Sequence, residues 1–315
     1  MRHDITTVSV IISSFNNKAT IEQAINSAMS QSSSQISIEC IVVDDCSTDG
    51  SIEYLDKLKN NYKFNLIKMK KNSGLPVVRN AGLAKSSGDY VNYLDGDDYF
   101  YPQKLKKQIL FLQKQTNKGV CISDCRCVNE AAGDEWLLSS EWGKPSSGDL
   151  LNQLLYRNRI AVHTALIPRD IAIKYASNSH LLAVGEDYEM WLRMLLAGVN
   201  FYYIDEPLVV YRRHSRGKSQ ERVDSLLDML KIYRSIESYL HEPEKVEIIN
   251  YSSAKIKIRL AELYIQQDND SESALKILRG IPRKYLGKRE KLVLELEGKL
   301  PVRLHNRLLK ILLVR

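Results

Sequence analysis

Residues 90–98 read YVNYLDGDD, an apolar run that ends in Asp95, Asp97 and Asp98 around a single glycine. Aspartate and glycine are the commonest turn formers, so a plain turn would account for D-G alone. Three carboxylates within one turn repel one another, and a hard divalent cation with oxygen ligands offsets that repulsion. The same pattern recurs upstream. Residues 38–45, IECIVVDD, place Asp44-Asp45 after a second apolar run, and residues 8–17, VSVIISSFNN, place Phe15-Asn16 after a third.

Working outward, apolar strands are predicted at 7–13, 38–43, 65–70 and 90–95, and helices at 21–30, 51–60 and 77–87. Strands that alternate with helices build a parallel sheet with right-handed crossovers. Ligands of such sheets bind beyond the carboxyl ends of the strands, which is where these polar residues fall. Further on, the pattern predicts a helix at 102–115, a strand at 119–124, a polar stretch to about 148 and a helix near 149–157. A strand-like HTALIP (163–168), a helix at 186–198 ended by Gly198, and a closing strand at 201–214 follow. From about 222 the apolar period is helical throughout. The expected architecture is therefore an α/β domain over residues 1–220 and an α-helical region over 221–315.

A cation held by one or two carboxylates completes its shell with water and diphosphate oxygens, so the acidic turn points to a nucleotide diphosphate. Composition excludes other classes. The chain has 315 residues, 44% apolar, and a formal charge of +7. Ten Lys/Arg against three Asp/Glu in 281–315 account for all of that excess, so residues 1–280 are balanced and no nucleic-acid binder is expected. The N-terminus shows neither a signal peptide nor a membrane span, which predicts a cytoplasmic protein. Cys121-x3-Cys125-x-Cys127 lacks the paired knuckles of a zinc site, and the five cysteines are read as reduced thiols.

Four segments carry a resemblance to a known family: VSVIISSFNN (8–17), IECIVVDDCSTDGS (38–51), NSGLPVVRNAGLAKSSGDYVNYLDGDDYFYPQKL (72–105) and GEDYEMWLRM (185–194). Together they resemble family-2 glycosyltransferases of the GT-A fold, over about residues 7–220. The resemblance implies a mostly parallel sheet flanked by helices and an inverting transfer from a UDP-sugar. It implies that Phe15 and Asp45 contact the nucleobase with Asp44 supporting their loop, that Arg79 lies against the nucleotide, and that Asp95 meets the ribose. Asp97 matches the metal-binding aspartate of the DxD motif, with Mn2+ or Mg2+ as the cofactor. Ser13 departs from the pattern, because the family usually has proline there.

Inverting displacement at an anomeric carbon needs a base for the acceptor's proton. Glu186-Asp187 opens a helix, where two acids would by themselves merely complement the helix dipole. Family position makes Asp187 the catalytic base and Glu186 an acceptor-binding residue, while Trp191, one turn on, is read as core. In the basic loop after the last strand, His214 is the expected metal or diphosphate contact and Arg212 a diphosphate contact. The tail places Leu304, Leu308, Ile311 and Leu312 on one side and Arg303, Arg307 and Lys310 on another. That pattern suits peripheral contact with the cytoplasmic face of the inner membrane, or docking on the preceding helices. By analogy with bacterial relatives, the acceptor is a lipid-diphosphate-linked or other saccharide in O-antigen or capsule assembly. A sugar nucleotidyltransferase would carry a glycine-rich phosphate loop where this chain has SSFNNKAT, and a non-catalytic sugar-nucleotide binder would not need Asp95, Asp97 and Asp187 intact.

Overall fold

The computed structural model describes residues 5–146, 148–176, 182, 184–213, 223–267, 270–297, 299 and 302–313. The chain forms two compact units, residues 1–154 with 158–217, and residues 155–157 with 218–315. Strands and helices alternate from the start: β1 (Thr6–Ser14), α1 (Ile21–Met29), β2 (Ile36–Asp44), α2 (Ser51–Leu58), β3 (Asn65–Lys68), α3 (Leu75–Lys85) and β4 (Tyr90–Asp95). Then come β5 (Tyr99–Phe100), α4 (Lys104–Leu112), β6 (Gly119–Asn129), β7 (Asp134–Leu137), α5 (Leu138–Trp142) and α6 (Leu150–Tyr156). After these follow β8 (Ile167–Pro168), α7 (Arg169–Tyr175), α8 (Glu186–Leu196) and β9 (Asn200–Arg212).

The main sheet has the order β3-β2-β1-β4-β8. Its first four strands are parallel and β8 closes it antiparallel to β4. Central β1 is buried from Val8 to Ser14, as expected of a strand covered on both faces. Helix α1 turns Ile21, Ala24, Ile25 and Ala28 inward at helical spacing. A smaller sheet, ordered β5-β9-β6-β7, pairs β6 with β9 in parallel and the other neighbours antiparallel.

Two segments differ from their sequence reading. The polar stretch after 124 contains a hairpin, in which β7 pairs with the end of β6 from Arg126↔Leu137 to Asn129↔Asp134. Its strand is too short and too polar to show a period of two. In HTALIP, residues Val162–Thr164 form a 3-10 turn, and only Ile167 and Pro168 pair with β4. Proline has no N–H to donate, which keeps the strand short, and on its other side Leu166 makes a single antiparallel bridge to Cys121 of β6.

In the second unit the helices are α9 (Val223–Glu237), α10 (Pro243–Gln267), α11 (Ser271–Arg279), α12 (Lys288–Leu296) and α13 (Val302–Leu313). Ala254, Ile258, Ala261 and Ile265 of α10 pack with Ala274 and Leu278 of α11 as a helical hairpin. Asp270 caps α11 by accepting the Ser273 N–H at 3.0 Å. The tail helix joins this core through Leu309 and Leu313, with Leu312 partly buried, while Ile311 is 66% exposed. The packed face is therefore turned away from the one that Ile311 would define: positions 309, 312 and 313 share the i, i+3, i+4 stripe that a helical neighbour covers. No helix among the described residues is long and apolar enough to cross a membrane.

Helix α3 lies close on the sheet because of Gly82: a Cβ there would stand 2.3 Å from Ile11 Cγ2 and 3.3 Å from Val43 Cγ2. Gly82→Ala is expected to destabilise the first unit by about 1–3 kcal/mol through overpacking. Urea denaturation of the two proteins checks this, and an unchanged midpoint would mean that helix and sheet yield to the methyl group.

Candidate functional site

The parallel register sets Ser14 beside Asp44 and Ser13 beside Asp95, so the loops after β1, β2 and β4 open on one rim. Asn16, with φ of 55°, ties the first two loops together. Its N–H donates to Ser47 Oγ at 2.9 Å, and its side-chain oxygen accepts from Thr48 N at 2.8 Å. Phe15, next to this knot, is 44% exposed. Asp44 is fully buried and accepts Ser47 N at 2.9 Å and Ser47 Oγ at 2.6 Å, so it stiffens the loop from within. Asp45 accepts the backbone N–H groups of Ser73 and Gly74 at 2.7 and 2.9 Å, holding the entry to α3.

Arg79, on α3, is buried between two acids. It makes an ion pair with Asp95 Oδ1 at 2.9 Å and another with Glu186, and its guanidinium stands 5.9 Å from the Tyr93 ring centroid. Burial disfavours its charge, but Asp95, Glu186 and Asp187 outweigh burial and raise its pKa further. The reverse holds for Asp95: burial raises its pKa, while Arg79 and the Ser13 hydroxyl, which donates at 2.7 Å, bring it below the ordinary value. Ser13 thus uses its hydroxyl on the ribose-matching aspartate, which a proline at this position would not reach.

Gly185, with φ of 84°, makes the left-handed turn that starts α8 and presents Glu186 and Asp187 on its first turn. Glu186 is buried against Arg79. Asp187 is pushed up to about 7, first by burial and then by the charge of Glu186, with Arg79 opposing. A small cavity of about 20 Å³ reaches this pair, lined among others by Arg79, Tyr93, Val162, Glu186, Asp187 and Met190. Trp191 is fully buried and meets Phe201 edge to face at 5.9 Å, a core residue.

The acidic turn is braced from β9. Arg212 donates its backbone N–H to Asp98 Oδ1 at 2.7 Å and its Nη1 to the Asp97 carbonyl at 2.6 Å. Its Nε and Nη2 reach Glu130 and Gln23, and the guanidinium lies 5.0 Å from the Tyr99 ring centroid. Arg212 therefore holds the turn together, with every guanidinium nitrogen engaged by the protein. His214 lies outside the described residues.

Sequence reasoning missed His163. Asp95, Asp98 and His163 place ligand atoms within 4.8 Å of one another, the group among the described residues best disposed for a metal ion. The imidazole comes from the 3-10 turn, 65 residues beyond Asp98 in the chain, and no local pattern in HTALIP marks it. Arg79, Glu186 and Asp187 are brought together at the cavity, with Asp95 paired to Arg79, while Phe15, Asp44 and Asp45 stand at the neighbouring strand ends.

A family model described as "Glycosyl transferase family 2" matches residues 9–175. A putative teichuronic acid biosynthesis glycosyltransferase of Bacillus subtilis, TuaG, is 28% identical over 80% of this chain and 97% of its own length. WfaP of Escherichia coli, named a UDP-Glc:alpha-D-GlcNAc-diphosphoundecaprenol beta-1,3-glucosyltransferase, is 29% identical over 73% of this chain and 86% of its own. Among solved structures, S. aureus TarS 1-349 in complex with UDP-GlcNAc superposes with a TM-score of 0.66 at 18% identity, covering 96% of this chain and 90% of that one. That likeness shows the GT-A fold expected from the sequence. The chain belongs to glycosyl transferase family 2, and it is a glycosyltransferase.

Proposed function

We propose that this enzyme inverts configuration while moving a hexosyl or N-acetylhexosaminyl residue from a UDP-sugar to a hydroxyl of a lipid-diphosphate-linked saccharide, in the assembly of a bacterial surface polysaccharide. The observation that carries the reading is Asp187, a carboxylate pushed up to about 7 that lines a small cavity with Arg79, which is in turn paired with Asp95. A general base works best when its pKa lies near the operating pH. Asp187 takes the proton of the acceptor hydroxyl as that oxygen bonds to the anomeric carbon. The bond from that carbon to the diphosphate oxygen breaks on the opposite face, and UDP leaves.

Other residues bind and orient. Phe15 offers an exposed ring to the nucleobase, Asp45 borders it, and Asp44 stiffens their loop. Asp95, its charge secured by Arg79, takes the ribose, and Glu186 faces the acceptor side. Asp97, with His214 outside the described residues, would hold Mn2+ or Mg2+. Such a cation supplies positive charge to the leaving diphosphate. Arg212 serves the same end as a brace of the acidic turn. The printed names of WfaP and of the TarS complex support a UDP-sugar donor, and the names of WfaP and TuaG support a surface-polysaccharide acceptor. Exposed Arg307, Lys310 and Ile311 on α13 support peripheral contact with the cytoplasmic face of the inner membrane, where a lipid-linked acceptor would lie.

The reading is tested by UDP release from a panel of UDP-sugars with Mn2+ or Mg2+, with and without a GlcNAc- or GalNAc-diphosphate-lipid analogue. Acceptor-dependent, chelator-sensitive release from one donor is expected, and Asp97→Ala is expected to abolish it. Asp187→Asn is expected to stop transfer while UDP-sugar binding, followed by calorimetry, persists; normal turnover in this variant would remove Asp187 as the base.

Because only ionised Asp187 accepts a proton, kcat/KM should rise with pH up to about 7 and level off above it. Arg79 opposes the upward shift, so Arg79→Met should move that limb to higher pH. It also leaves Asp95 and Glu186 without their buried partner, at a cost of about 3–5 kcal/mol in stability. Rate profiles and denaturation midpoints of the variant check both expectations.

A further inference from the structure

We infer that Asp98 and His163 are positioning residues that fix the shape of the acidic turn, and so aim Asp97 at the cation. The inference rests on the reading of Asp97 as a cation ligand given above.

Asp98 is 0% exposed and His163 2% exposed. A carboxylate taken out of water costs several kcal/mol unless it is tied down. Asp98 has two ties, and both reach across the sheet edge. Oδ1 accepts the backbone N–H of Arg212 at 2.7 Å, and Oδ2 stands 3.1 Å from His163 Nδ1. The second contact is at ion-pair distance without the alignment of a hydrogen bond. The imidazole is in turn wedged edge to face against Tyr211 at 4.9 Å, one residue before Arg212 on β9.

Asp97 lies inside this bracket. Gly96 N donates to Ser13 O at 2.8 Å, Asp98 N to Asp95 O at 3.0 Å, and the Asp97 carbonyl accepts Arg212 Nη1 at 2.6 Å. The Gly96 carbonyl accepts Thr20 Oγ1 at 2.9 Å, so the peptide groups on both sides of Asp97 are held and the positions its side chain can reach are limited to its few staggered rotamers. A turn-forming glycine sits one residue before it, so without the bracket the turn would have other shapes to adopt.

Asp98 and His163 could instead be cation ligands themselves, since with Asp95 they form a compact donor group. The commitment of Asp98 to the protein favours the positioning role: its Oδ1 already accepts the Arg212 N–H, and Asp95 is already paired with Arg79. Residues behind the ligands tune affinity by orientation, typically by about 10–100-fold.

The test measures Mn2+ binding to the full chain with saturating UDP, by electron paramagnetic resonance, and UDP binding in EDTA by calorimetry. Asp98→Asn, which keeps the shape, and His163→Ala are expected to weaken Mn2+ by about 10–100-fold while metal-free UDP affinity stays unchanged. His163→Gln, which returns an N–H towards Asp98, should recover part of the loss. Nitrogen coupling to bound Mn2+ should be the same in His163→Gln as in the unaltered protein. Loss of that coupling would make His163 a ligand and overturn the inference, as would a parallel fall in metal-free UDP affinity, which marks general damage. Asp97→Ala separates the two readings. If it abolishes Mn2+ binding while Asp98→Asn and His163→Ala do not weaken it, the positioning role alone fails; if it binds Mn2+ normally, the assignment of Asp97 fails and this inference with it.

Discussion

A single guanidinium organises the site. Arg79 is buried between Asp95, which ends strand β4, and Glu186, which begins helix α8. Each of the three would be costly to bury alone, and together they satisfy one another. The pairing joins a carboxylate on the donor side to the helix that carries Asp187. It also sets the electrostatic balance at that residue: burial and Glu186 push the Asp187 carboxyl up, and Arg79 keeps it from rising further. An ionised Asp95 and a readily protonated Asp187 on either side of one arginine both follow from where that arginine stands.

The strand-end loops follow a second constraint, that buried carboxylates must find donors. Asp44 and Asp45 are both buried, and both take hydrogen bonds from backbone N–H groups. These bonds stiffen the rim at no cost in accessible surface, leaving Phe15 as the exposed aromatic beside it. Ser13 shows the same economy, because its hydroxyl ties β1 to Asp95 across the parallel register.

Opposite the rim, β9 reaches the acidic turn from the smaller sheet. Arg212 contacts Asp97, Asp98, Glu130 and Gln23, and so joins the turn to β6, β9 and α1. An arginine after an apolar strand looks the same in sequence whether its donors face solvent, a phosphate or protein carbonyls.

The sequence by itself determined the alternation of strands and helices through residue 95, the placing of Phe15, Asp44, Asp45 and Asp95 at strand ends, the helical second region and the family. These are legible because they depend on local period and on residues adjacent in the chain. Only the tertiary structure decided that Arg79 bridges Asp95 to Glu186, that His163 stands behind the acidic turn, that Arg212 braces it, and that the tail packs through Leu309 and Leu313. Each of those depends on residues far apart in the chain meeting across packed elements. No spacing records such contacts, because burial and electrostatic pairing select them only once the sheet and its helices have closed.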